Sequence, residues 1–120
     1  MRIKLRFEFG KDLQLGPGKA QLLEQIAALG SLAAAARSMG MSYKRAWVLV
    51  EEMNAAFAQP VVILVRGGAG HGGAELTEAG RAVIAHFRAL EAMIATPEGQ
   101  AHIAALTGLM KPGVGGGEDS

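Results

Sequence analysis

The sequence predicts a mostly helical α+β domain, a winged helix-turn-helix with a long C-terminal dimerisation helix, and three features predict it. Residues 30–57, GSLAAAARSMGMSYKRAWVLVEEMNAAF, read as a short helix, a tight glycine turn and a second helix. Residues 61–76 hold two short β-forming runs around the loop GGAGHGG at 67–73. Beyond residue 77 two helical stripes carry more apolar surface than a small core of this kind covers. These divide the chain into a winged helix-turn-helix with its dimerisation helix at 1–95, a C-terminal helix at 96–110 and a disordered tail at 111–120.

Each element follows from local pattern. Residues 2–9 alternate, with Ile3, Leu5, Phe7 and Phe9 on one side and charges on the other, as a half-buried strand does. Gly16-Pro17-Gly18 breaks the chain, and proline suits the first turn of the helix that follows at 18–29. That helix turns Leu22, Leu23, Ile26 and Leu29 inward and Gln21 and Glu24 outward. Gly30 closes it, and Ser31 can cap the alanine-rich helix at 32–39. Gly40 sits where a left-handed residue is wanted, and Ser42 can cap the helix that starts at Tyr43. Ala46, Val50, Met53 and Phe57 share one face of it until Gln59-Pro60 ends the pattern. Val61 to Val65 is a run of β-formers, and Ala74 to Leu76 is its short return strand. Thr77 can cap the next helix, whose stripe is Gly80, Val83, Ile84, Phe87, Leu90, Met93 and Ile94. Thr96-Pro97 restarts a helix with Ile103, Leu106, Leu109 and Met110 as its apolar set.

Composition narrows the function classes. No run approaches about 18 uninterrupted apolar residues, so no membrane span is expected. The N-terminus lacks the apolar core of a signal peptide. With no cysteine there is neither a disulfide nor a thiolate metal site, and a cytoplasmic setting is expected. The net charge of +1 says little, but its distribution says more. Residues 1–50 hold eight Lys/Arg against three acids, or +5, and residues 51–120 hold four against eight, or −4. The basic half contains the second helix of the glycine-turn pair, where phosphate attraction would act. No nucleophile–base pair, paired carboxylates or metal cluster can be assembled, so an enzyme is not expected. A P-loop would need Gly-Lys-Ser/Thr after the glycines, where this chain has Gly-Gly-Ala, and His71 has no partners at ligand spacing.

In a helix-turn-helix the N-terminal residues of the second helix meet bases and phosphates in the major groove. Ser42, Tyr43, Lys44 and Arg45 occupy that turn here, and Trp47 follows. Arg suits a bidentate bond to guanine, and Lys and Ser suit phosphate. Trp47 is open to a second role as core under the wing. Arg66 and His71 are the contacts expected from the glycine loop, which would approach a minor groove or phosphates. An ordinary pair of core helices with a solvated Lys-Arg pair, and an idle hairpin, would read the same way. The surplus apolar surface points to a homodimer through Val83, Phe87, Leu90, Ile94, Ile103 and Leu106, unless those helices fold back on their own core.

The stretch GSLAAAARSMGMSYKRAWVLVEEMN resembles the helix-turn-helix of LysR-type regulators. It is closer still to the N-terminal domain of the molybdate-responsive ModE regulators of bacteria. The Ser-Tyr-Lys-Arg-Ala-Trp run, Glu-Met-Asn at 52–54, the glycine loop at 67–73 and Leu-Thr-Glu-Ala-Gly at 76–80 carry that likeness over roughly residues 1–95. It implies a transcriptional regulator of molybdenum-related genes that binds a palindromic operator in double-stranded DNA as a dimer. Full-length members add C-terminal molybdate-binding domains, which this chain ends too early to hold. Beyond residue 95 it offers two threonines, one lysine and a terminal serine, too few donors for a closed oxyanion pocket. No cofactor and no molybdate binding by this chain alone are therefore expected, leaving constitutive control or a separate effector-binding protein. A protein–protein module on the same scaffold, without DNA, is the alternative.

Overall fold

The computed structural model describes residues 3–66 and 72–113, with the side chain of Arg66 left out. The chain runs β1 (Phe7–Phe9), β2 (Leu13–Leu15), α1 (Pro17–Leu29), α2 (Leu32–Ser38), α3 (Tyr43–Ala56), β3 (Val62–Arg66), β4 (Gly72–Leu76), α4 (Glu78–Ile94) and α5 (Pro97–Gly108). It is the mostly helical winged helix-turn-helix that the pattern predicts.

The N-terminal region departs from expectation. Instead of one strand over residues 2–9, β1 covers three residues and turns back through β2, pairing Phe7 with Leu15 and Phe9 with Leu13. A ladder reaches only as far as its partner. β2 stops at Leu15 because Gly16 begins the cap of α1 and Pro17, at its first turn, has no N–H to donate. Residues 3–6 thus lie outside the ladder. Leu13 and Leu15 are buried, whereas Phe9 is exposed.

The core sits where α1, α2 and α3 meet the two hairpins. Leu22, Leu23, Ile26, Ala35, Ala46 and Met53 are sealed from solvent, as are Val61 and Ala74 from the second hairpin. The alanines of α2 bury almost no side-chain volume, so helices can approach closely there. Glycine is required at both ends of the turn system. Gly30 (φ 70°) closes α1 with its N–H on the Ile26 carbonyl, and Gly40 (φ 68°) reverses the chain between α2 and α3.

α4 leaves the core part-way along its length. Phe87 is 1% exposed and packs edge-on to Phe7, with ring centroids 6.1 Å apart. Expected at a dimer interface, it belongs instead to the interior of the single chain, because the N-terminal hairpin covers it. Past that point Leu90 and Met93 are exposed, and α5 buries none of its residues. The radius of gyration is 17.4 Å, against about 14 Å for a compact domain of this length, and the long axis is 59 Å. The end of α4 past Phe87, and α5, do not fold back over the core. Of the tail expected at 111–120, residues 114–120 lie outside the described residues.

Candidate nucleic-acid interface

The glycine turn delivers α3 with its N-terminus open to solvent. The Ser42 hydroxyl accepts the Arg45 N–H at 3.0 Å, as the Ser31 hydroxyl accepts the Ala34 N–H at 3.1 Å for α2. Ala46, Leu49, Val50 and Met53 face the core. That rotation sends Ser42, Tyr43, Lys44, Arg45 and Trp47 outward, and all five are exposed. Tyr43 is 52% and Trp47 42% exposed, so Trp47 is not a core residue of this chain. Large aromatic surface left in water beside two cations is unusual for a monomer and common where a partner is met.

The β3–β4 hairpin is fixed to the same unit at several points. Asn54, on the last turns of α3, accepts the Val61 N–H at 2.7 Å and the Val62 N–H at 3.3 Å through Oδ1. Its Nδ2 donates to the Val62 carbonyl at 3.0 Å. On the other strand the Ala74 N–H donates to the Gly30 carbonyl at 3.0 Å. Thr77 N–H donates to the Val61 carbonyl at 3.0 Å, and its hydroxyl to the Pro60 carbonyl at 2.6 Å. Gly80 lies so close to Val61 that a Cβ there would collide with the Val61 carbonyl. The hairpin is thereby set against the α1–α2 turn, and Ser31, Tyr43, Leu64, Val65 and Gly73 line one shallow depression between wing and α3. Arg66 ends β3 opposite Gly72 in the register, at the loop end of the hairpin. His71 lies outside the described residues.

Glu24, expected to face outward from α1, meets α4 instead of open solvent alone. Glu24 receives a two-pronged hydrogen bond from Arg88 of α4, Nε to Oε2 at 3.0 Å and Nη2 to Oε1 at 2.6 Å, while Arg88 Nη1 reaches Glu91 at 2.8 Å. The Arg88 hydrogen bond holds the Glu24 carboxyl below its ordinary range against a smaller opposing effect of burial, and the two carboxylates raise Arg88 further. The partners are 64 residues apart, which no local spacing signals. The pair braces α4 on α1. Among the described residues no group of three or more His, Asp or Glu could hold a metal ion, and no helix is long and apolar enough to cross a membrane.

The chain is 46% identical over 82 residues to the molybdenum-pterin-binding protein MopB of Rhodobacter capsulatus, covering 68% of this chain and 30% of that protein. It is 42% identical over 77 residues to the molybdenum transport protein ModE of Azotobacter vinelandii, covering 64% and 28%. With the DNA-binding transcriptional dual regulator ModE of Escherichia coli K12 it shares 38% over 82 residues, covering 68% and 31%. The matched region thus spans less than a third of these relatives' length. Residues 18–81 match the bacterial regulatory helix-turn-helix proteins of the lysR family, and they take in α1, the glycine turn, α3, the wing and the start of α4. Since that match spans more than half of its residues, the chain belongs to the lysR family of bacterial regulatory helix-turn-helix proteins.

Proposed function

We propose that the chain is the DNA-reading module of a ModE-like transcriptional regulator, acting in the cytoplasm by binding and not by catalysis. One observation carries this: Ser42, Tyr43, Lys44, Arg45 and Trp47 stand together on the exposed first turns of α3, on a helix locked to its wing. Arg45 is the base reader, Lys44 and Ser42 hold phosphates, and Tyr43 and Trp47 supply apolar contact to base edges or sugars. Arg66 and His71 are the wing's contacts. Relatives named for molybdenum make molybdenum-related genes the regulon to look for first.

The same module works as a homodimer on a palindromic operator, with half-sites about 34–36 Å apart. Val83, Leu90, Ile94, Ile103 and Leu106 form the interface, without Phe87. An open apolar groove of about 620 Å³ beside Phe7, Phe9, Phe57, Val83 and Leu90, together with an α5 none of whose residues is buried, supports that reading. Sensing of the effector is assigned to a separate protein or domain.

Fluorescence anisotropy with an operator found by genomic footprinting, titrated with salt, tests the reading. Arg45→Ala costs about 1–3 kcal/mol on the operator and relaxes its specificity, while Lys44→Ala weakens every sequence alike and lowers the salt slope by about 1. A parent protein that binds no duplex at any salt refutes the function and leaves a protein–protein module.

A further inference from the structure

Arg45 has a second setting. It lines an open crevice of about 380 Å³ together with Lys4 and Arg6 from the N-terminal segment, Gln14 of β2, and Lys19 in the first turn of α1. Four of the lining side chains are cationic and none is acidic. They come from sequence positions 4, 6, 19 and 45, so only folding brings them together. Two are held in place by one residue: Lys19 Nζ donates to the Gln14 carbonyl at 2.8 Å, and Arg6 Nη1 to Gln14 Oε1 at 3.4 Å. Lys19 also lies 3.4 Å from Glu52, which offsets part of its charge. An arginine offers five N–H donors and a lysine three, more than these contacts use.

We infer that this crevice seats a backbone phosphate of the DNA duplex that α3 enters, flanking the groove and adding a contact from outside the helix-turn-helix. The inference rests on the DNA-binding reading and extends its footprint to Lys4, Arg6 and Lys19. Continuity with the exposed first turn of α3 places any duplex docked there against the crevice as well. A free oxyanion is the poorer occupant. Small anions are held where water is excluded, and here Lys4, Arg6, Gln14 and Arg45 are exposed, with Lys19 alone largely covered at 15% side-chain exposure. A polyanion needs only an open basic surface, since it binds by releasing its counterions.

The Lys4→Ala/Arg6→Ala double variant tests this against the parent on two labelled duplexes, one carrying the operator and one of mixed sequence. Affinity falls about tenfold on both, and the salt slope becomes shallower by about 1, as the loss of one phosphate contact requires. Gln14→Glu, which removes no cation but sets a carboxylate between them, weakens both duplexes too and keeps the test open should the double variant melt early. Parent-like affinity in both variants, while Arg45→Ala weakens the operator, overturns the crevice and leaves the function of α3 standing. A loss confined to the operator overturns the phosphate assignment in favour of base reading. Calorimetry with inorganic phosphate provides the remaining arm: binding lost in the double variant while duplex affinity is intact assigns the crevice to a free anion and overturns the inference. A parent that binds neither duplex overturns this inference and the proposed function together.

Discussion

Replacing Asn54 by alanine separates the wing from the helix it depends on. The amide makes three hydrogen bonds, two accepted from Val61 and Val62 and one donated to Val62. At about 1 kcal/mol net for each, the loss is about 2–3 kcal/mol. The upper part of that range is expected because Val61 and Val62 are 0% and 2% exposed, so water cannot readily replace the amide. With unfolding entropy near 2.1 cal/mol/K per residue, the melting temperature should fall by about 10 °C, read by circular dichroism or calorimetry. Asn54→Leu discriminates the cause, since it fills the same volume without the polar atoms. It should destabilise about as much as alanine, and both variants should weaken operator binding as the wing loosens. A leucine variant that melts with the parent makes Asn54 a packing residue and refutes the clamp.

Three further outcomes follow from the same contacts. Glu24 is depressed by Arg88, so its contribution is fully present above the ordinary glutamate pKa and lost as pH falls below about 4. Glu24→Gln should flatten that acid limb, by under about 1 kcal/mol because both side chains are over a third exposed. Leu90→Glu should give a soluble monomer by analytical ultracentrifugation with steeply weakened operator binding, whereas Phe87→Glu should fail to fold, since it buries an unpaired charge. A parent that sediments as a monomer at micromolar concentration ends the dimer proposal. Isothermal calorimetry of the chain with molybdate should show no binding, and sub-micromolar affinity would place an effector site within these 120 residues.

What the sequence determined by itself was most of what acts within a few residues, though Leu29, expected inward at the end of α1, is 46% exposed. Ser31, Ser42, Thr77 and Thr96 are legible as caps because each hydroxyl meets an N–H three residues on, and all four do so. Helical periodicity fixed the rotation of α3, and hence which side chains of its first turns stand in solvent. The glycine-turn motif and the glycine loop between β-formers were enough to name the architecture. Only the tertiary structure decided what depends on partners far along the chain. β2 shortens β1 because a strand lasts no longer than its neighbour. Phe87 is interior because Phe7, eighty residues earlier, lies against it. Glu24 meets Arg88 across 64 residues, and Asn54 finds its peptide groups only after the chain reverses at Pro60. The crevice of Lys4, Arg6, Lys19 and Arg45 has no sequence signature for the same reason. An apolar or charged side chain announces its own chemistry, but its neighbours are set by how the hairpin and helices pack.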